Sequence, residues 1–267
     1  MRVARAELNG RECHGEVDGG MFHRVSGDVF AGAARTGERV PLESVRLLSP
    51  VEPRRVLITM GGFRPKDGAP LPPGAVPWLL PKLAAPISGD GGVIVVPPSL
   101  AGSIIWVEVE LAIVVGRTVR SASSEAARAS ILGFTCFNDV SAPEFLFDEP
   151  RSPKLRPAPD SYRAKSIDTF ASMGPWIETA ITPEDVSEGL ALTTRVNGAV
   201  VAEGNTREHK FPVTDWVVAA SALTTLEPGD VIALGTPQPA EVVAGDSVEL
   251  EIEGIGVLRN TVVAADG

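Results

Sequence analysis

The run Val107 to Gly116, VEVELAIVVG, constrains this chain more than any other segment. Leu111 to Val115 is apolar at every position, the pattern of a buried strand, yet Glu108 and Glu110 stand at its start. Side chains two apart on a strand point to one face. A strand here therefore holds two carboxylates side by side at the end of a buried-looking segment. Like charges that close repel, and burying them unpaired is costly. A hard divalent cation relieves both problems, and Asp139, in Asn138-Asp139-Val140-Ser141-Ala142, offers a third oxygen ligand. The same Glu-x-Glu spacing also suits the solvated face of a half-exposed strand, and spacing alone slightly favours that alternative.

The 267 residues suffice for one large domain, or one domain with a small appendage. With 24 basic and 34 acidic residues the net charge is −10, which argues against a nucleic-acid or anionic-membrane partner. Cys13 and Cys136 lie far apart and fit no ligand pattern, so a reducing, cytoplasmic setting is expected. The start, MRVARAE, has no hydrophobic signal core. The uncharged stretch from Gly91 to Val107 is broken by Pro97-Pro98 and Gly102, so no membrane span is expected.

The pattern along the chain is α+β and β-rich. Asn9-Gly10, Asp18-Gly19-Gly20 and Ser26-Gly27-Asp28 are turn signals at meander spacing, predicting a small antiparallel N-terminal subdomain over 1–52. Val56 to Thr59 reads as a short core strand. Residues 60–92 are so dense in proline and glycine that a long loop is expected, and long ordered loops are commonly binding loops or lids. A second proline-rich loop spans Asp148 to Ser161, and both are expected to move when no ligand is bound. Helices are predicted over Ser123–Ile131, after Thr182-Pro183-Glu184-Asp185, and over Val213–Leu226. Strands return at Ser247–Glu253 and Val257–Val263.

Taken in order, Glu108 and Glu110, Asp139, Arg163-Ala164-Lys165-Ser166-Ile167-Asp168-Thr169-Phe170, Gly204-Asn205-Thr206, Gly235-Thr236-Pro237 and Ile252 to Asn260 resemble the fumarylacetoacetate hydrolase family over nearly the whole chain. The resemblance implies a mixed β-sandwich roll over 53–267, commonly a homodimer, with one Mg²⁺ or Mn²⁺ held by Glu108, Glu110 and Asp139. It implies a small oxo-acid substrate, a 2-oxo or 1,3-dicarbonyl acid. Lys165 corresponds to the lysine facing substrate and metal, with Asp168 and Thr169 supporting it. Thr236 corresponds to the substrate-carboxylate turn, and Asn205 and Thr206 to further substrate contacts.

The chain also departs from the family's pattern. Hydrolytic relatives carry Asn-Tyr-x-x-His-x-x-Glu on the lid, where this chain reads Gly61-Gly62-Phe63-Arg64-Pro65-Lys66-Asp67-Gly68-Ala69. Lys66 and Ala69 fall at the His and Glu positions, so the dyad that would activate water is missing. Ala142-Pro143-Glu144 replaces Ala-Arg-Asp, and the usual tryptophan is displaced to Trp106. His209 is the remaining candidate base, against an alternative as a solvated loop residue, and Lys66 or Asp67 could serve if the lid closes. Family weight points to a hydrolase of C–C bonds. The missing dyad points instead to a decarboxylase or tautomerase using the same metal and Lys165, or to a non-catalytic protein that binds its ligand through the metal.

Overall fold

The computed structural model describes residues 1–65, 68–149 and 154–265. Five short strands open the chain: β1 (Arg2–Leu8), β2 (Arg11–Asp18), β3 (Met21–Ser26), β4 (Ala34–Pro41) and β5 (Arg46–Leu48). Asn9 and Gly10 both take left-handed φ angles, 53° and 72°, making the primed two-residue turn that suits the twist of a hairpin. Ala4, Ala6, Val17 and Phe22 give this meander a small core of its own. It does not form a separate sheet, however, because Arg2 and Val3 pair with Glu178 and Ile177.

The middle of the chain contains β6 (Val56–Thr59), β7 (Leu79–Pro81), β8 (Gly92–Val96), β9 (Ile105–Val107), β10 (Val109–Val115), α1 (Ser124–Ser130) and β11 (Ile131–Asp139). Between β6 and β7 the described residues form no helix or strand, as the prolines require; one isolated bridge joins Phe63 to His209. There follow α2 (Ser161–Lys165), β12 (Ala171–Glu178), α3 (Pro183–Glu188), β13 (Ala191–Val196), β14 (Ala199–Asn205), α4 (Val213–Leu223), β15 (Val231–Ala233), β16 (Ala240–Val242), β17 (Ser247–Ile252) and β18 (Gly256–Ala264).

The predicted caps form. Ser123 accepts from the Ala126 N–H, and Thr182 with Asp185 completes a capping box that starts α3. The helix expected to reach Leu226 stops at Leu223 instead. Thr224 is extended, and Leu226 exchanges two backbone hydrogen bonds with Val119. Two consecutive β-branched threonines and a buried leucine favour that strand-like ending over another helical turn.

The large sheet runs β4-β3-β2-β1-β12-β11-β10-β15-β6-β7, with β5 pairing on β1. A five-stranded sheet, β14-β13-β17-β18-β8, packs its β13, β17 and β18 against β10, β11 and β12. A two-stranded ribbon, β16-β9, closes one end. The pairings β15–β6 and β18–β8 are parallel and the others antiparallel, so both larger sheets are mixed. Every residue of β10 is buried, which explains the apolar run from Leu111 to Val115. The fold is the β-rich mixed-sheet architecture expected, with the carboxylates at the end of its central strand.

Candidate metal centre and active site

The register of β10 on β11 pairs Val109 with Asn138 and Glu110 with Phe137. Beyond the end of β10 it continues: the Asp139 N–H donates to the Glu108 carbonyl at 3.2 Å, and Trp106 and Ser141 exchange two bonds of 2.9 Å. Glu108 therefore faces Asp139 across the ladder, with Glu110 on the diagonal and on the same face. One oxygen from each lies within 4.8 Å of the others, and all three residues are buried. Burial settles what spacing left open, because these glutamates do not lie on a solvated strand face.

A buried amide network fixes the strand end behind them. Asn138 Oδ1 accepts the Glu108 N–H (3.2 Å), and Asn138 Nδ2 donates to Asn260 Oδ1 (3.0 Å). Asn260 also accepts from Ser172 Oγ (2.7 Å) and donates to the Gly92 carbonyl (3.0 Å). Networks satisfied on every side hold their members rigidly.

Two lysines meet the carboxylates. Lys165 ends α2, a single helical turn capped by Asp160, and its Nζ lies 2.5 Å from Glu108 Oε2 and 2.6 Å from Asp139 Oδ2. Lys82, directly after β7, sets its Nζ 2.5 Å from Asp139 Oδ1 while donating to the Val140 carbonyl at 3.0 Å. Its approach to Oδ1 lies off the hydrogen-bonding direction, so the contact is an ion pair and leaves that oxygen without an aligned donor. Ser141 Oγ donates to Glu108 Oε2 (3.0 Å), and the Gly235 N–H donates to Glu110 Oε2 (2.8 Å).

The electrostatics are divided. Burial, reinforced by Asp139 and Glu108, pushes the Glu110 carboxyl well above the ordinary range. Glu108 is also raised by burial, with Lys165 opposing. Burial works against the Asp139 charge as well, but Lys165 and Lys82 outweigh it and hold the group below its usual value. Burial pulls the Lys82 ammonium down. It also opposes the charge on Lys165, but Asp139 and Glu108 more than offset that and raise the pKa. Three carboxylates against two ammoniums leave one negative charge in excess. Clustered hard oxygen donors with surplus negative charge fit Mg²⁺ or Mn²⁺ and do not resemble a thiolate or imidazole site.

Glu108, Glu110 and Lys165 line a cavity of about 500 Å³. Trp106, Leu146, Phe147 and Met60 supply apolar walls, with Trp106 tilted against Phe147 at 5.4 Å, and Thr236, Gln238 and Glu241 complete the mouth. The root of the proline-rich loop borders it at Gly61. Next to it, Gly62 crosses the Gly235 turn so closely that a Cβ on Gly62 would stand 1.9 Å from the Leu234 carbonyl oxygen. Gly235 itself takes φ = 90°, a left-handed conformation suited to glycine.

The structure thus brings together Glu108, Glu110, Asp139, Lys165 and Thr236, but it places the other candidates elsewhere. Asn205 caps the turn after β14 by accepting from the Arg207 N–H. Thr206 is buried, donating to the Val186 carbonyl (2.6 Å) and accepting from the Leu190 N–H (2.8 Å). Thr206 thereby ties α3 to the start of β13, and neither residue lines the cavity. Asp168 is exposed, and Thr169, at φ = 67°, accepts from the Val95 N–H (2.8 Å) without touching Lys165. His209 is neither solvated nor on the cavity wall. It is buried edge-on to Phe63 (4.6 Å) and Trp216 (5.5 Å), with both ring nitrogens unbonded and its pKa lowered by burial to about 4. Lys66 and Asp67 lie outside the described residues.

Sequence reasoning missed Lys82 and Asn260. Lys82 sits in Leu79-Leu80-Pro81-Lys82-Leu83, and a lone cation flanked by apolar residues was the available signal.

The family model described as "Fumarylacetoacetate (FAA) hydrolase C-terminal" matches residues 66–263. The chain belongs to this family. A second model, "Rv2993c-like, N-terminal", matches residues 1–50 of this fumarylacetoacetate hydrolase family member. Human "Oxaloacetate tautomerase FAHD2A, mitochondrial" is 32% identical over 236 residues, covering 84% of this chain and 71% of that protein. The solved 2-hydroxyhepta-2,4-diene-1,7-dioate isomerase from Mycobacterium marinum is 32% identical, with a TM-score of 0.84 and complete coverage of both chains. Maleylpyruvate hydrolase from Sphingobium sp. SYK-6, solved in complex with manganese(II) ion and pyruvate, is 26% identical, with a TM-score of 0.77 and complete coverage of both chains. The family thus includes hydrolases, isomerases and tautomerases on one scaffold. Among the described residues, no helix is long and apolar enough to cross a membrane.

Proposed function

We propose that this protein is a divalent-metal-dependent enzyme that catalyses a proton shift, keto–enol tautomerisation, in a 2-oxo acid. One observation carries the choice: the titratable groups on the described cavity wall are Glu108, Glu110, Lys165 and Glu241, with no histidine among them. Hydrolysis of a C–C bond requires a group that activates water. A tautomerisation needs no activated water: a base takes the proton from C3, negative charge grows on the C2 oxygen, and that oxygen takes up a proton. Glu241 at the mouth is the carboxylate that would accept the C3 proton. Glu108, Glu110 and Asp139 would hold the Mg²⁺ or Mn²⁺, which acts when bound as a Lewis acid toward the adjacent oxygens of the substrate. Lys165, with its ammonium at the carboxylate edge of the cavity, donates to the C2 oxygen as negative charge grows there. Thr236 binds the substrate carboxylate at the mouth, and the Trp106–Phe147 wall excludes water from the rest of the molecule. The tautomerase and isomerase relatives at 32% identity support this choice.

Decarboxylation is the second reading, because loss of CO₂ places the same charge on the same oxygen and needs no activated water. The test is turnover of oxaloacetate and of acylpyruvates with Mn²⁺, with products identified by mass. An isomer of unchanged mass supports the proposal, released CO₂ selects the second reading, and products that have gained water refute both. Lys165→Met should lower the rate about 10²- to 10³-fold while calorimetry still detects Mn²⁺. The proposal extends to a cytoplasmic homodimer, which sedimentation velocity and cell fractionation would check.

A further inference from the structure

We infer that Lys82 is a positioning residue that restricts Asp139 to single-oxygen ligation and so biases the centre toward small octahedral cations over Ca²⁺. The inference rests on Glu108, Glu110 and Asp139 holding a divalent ion. Lys82 and Asp139 are each only 1% exposed, and Lys82 Nζ is fixed on two sides, by Asp139 Oδ1 at 2.5 Å and the Val140 carbonyl at 3.0 Å. Lys82 does not line the cavity that contains Glu108, Glu110 and Lys165. It borders a separate cleft with Val51, Pro53 and Pro86. Oδ1 meets Lys82, which borders that cleft, while Oδ2 meets Lys165, which lines the catalytic cavity.

The other two carboxylates follow the same plan. Glu110 gives Oε2 to the Gly235 N–H, and Glu108 gives Oε2 to the Ser141 hydroxyl. Glu108 and Glu110 thus each have one oxygen engaged by a neutral protein donor and can offer an ion the other. Asp139 instead has Oδ1 in the Lys82 ion pair and Oδ2 accepting from Lys165, so an ion reaching Asp139 from the cavity takes the place of the Lys165 contact on Oδ2. Three single-oxygen ligands leave the remaining octahedral positions to substrate and water. Mg²⁺ and Mn²⁺ suit such a set, whereas Ca²⁺ takes six to eight oxygens and commonly chelates a carboxylate through both. Four groups hold these oxygens, Ser141, Gly235, Lys165 and Lys82, and of the two charged ones Lys165 lines the catalytic cavity while Lys82 borders the separate cleft.

Charge and orientation can be separated experimentally. Removing an ammonium reduces repulsion of every divalent cation alike, so it shifts all affinities together. Freeing Oδ1 changes the ratio between cations. Dissociation constants for Mg²⁺, Mn²⁺ and Ca²⁺ would be measured by calorimetry on the full chain, as wild type, Lys82→Met and Lys82→Gln. Lys82→Met should lower the Ca²⁺-to-Mn²⁺ ratio of dissociation constants by about tenfold, the scale of effects seen when groups behind a metal ligand are removed. Lys82→Gln keeps one N–H for Oδ1 and should hold the ratio near wild type. A merely structural role would lower the melting temperature and leave the ratio unchanged, which overturns the inference. Should Lys82→Met fail to fold, X-ray absorption and crystallography of Mn²⁺- and Ca²⁺-loaded wild type decide instead, and bidentate Asp139 in either overturns it. Wild type that binds none of the three ions sinks the metal-centre reading itself, a failure distinct from an unchanged ratio.

Discussion

Glu110→Gln should stabilise the metal-free protein while abolishing its metal affinity. Glu110 is almost completely buried, and its carboxyl is pushed well up by that burial and by the charges of Asp139 and Glu108. Gln has the same shape, can still accept the Gly235 N–H, and replaces repulsion with an amide donor facing two carboxylates. Replacing an unfavourable buried charge by a neutral group of equal volume is worth about 1–3 kcal/mol. For a domain of this size that is a rise in melting temperature of about 3–10 °C. The pH dependence has a fixed sign. An unfolded glutamate titrates near its ordinary value of about 4.3, and the folded group titrates higher. Between those two values the folded protein keeps a proton that the unfolded chain has lost, so wild-type stability falls as pH rises through that window. The advantage of the variant is therefore complete above the raised folded pKa and vanishes toward about pH 4. Differential scanning calorimetry in EDTA across this range reads it directly, and saturating Mn²⁺ should reverse the order because only wild type gains from binding. Equal or lower stability of the variant in EDTA above neutrality, or an advantage that persists unchanged into acid, would refute the electrostatic reasoning.

Two further perturbations test the surroundings. His209 titrates at about 4 when folded against 6.5 in the open chain, so acidification from pH 6.5 to 4 should cost wild type about 3 kcal/mol as the unfolded state takes up the proton. His209→Leu should remove that acid sensitivity in denaturant titrations and leave turnover intact, whereas a large loss of rate would restore His209 as the base. Gly62→Ala places a methyl group against the Leu234 carbonyl, and should destabilise by about 2 kcal/mol or more. It should also weaken Mn²⁺ binding by displacing the Gly235 donor of Glu110, and unchanged calorimetric affinity would show that the turn does not transmit the strain.

What the sequence made legible was local or periodic. Asn9-Gly10 demanded its turn, Thr182 and Asp185 their capping box, and the apolar run from Leu111 to Val115 its buried strand. The carboxylate cluster was readable through the family resemblance, since the Glu-x-Glu spacing alone slightly favoured a solvated strand face. Lys82 left no spacing in the chain, since its partner Asp139 is fixed by how β7 lies beside distant strands. The pairing of β1 with β12, which fuses the N-terminal meander to the main sheet, is a similarly long-range choice that no turn signal encodes. α2, at the end of a proline-rich stretch, went undetected because one helical turn has no periodicity to detect. Asn205, Thr206 and His209 show the converse. Polar residues in the right order along the chain were folded into joints between elements, where their hydrogen-bonding capacity or aromatic shape serves packing.

The crossing of Gly62 over the Gly235 turn sets a rule for how this lineage can diverge. Over the described residues 68–77 the proline-rich loop forms no helix or strand, and a new substrate can be accommodated there by ordinary drift. At the crossing it cannot, because a side chain gained on either strand of backbone meets the other's main chain. Positions 62 and 235 should therefore both remain glycine. The variable part of the molecule is thereby pinned at one point to the strand end that carries Glu110, so specificity can be rewritten over evolutionary time without loosening the buried carboxylate beneath it.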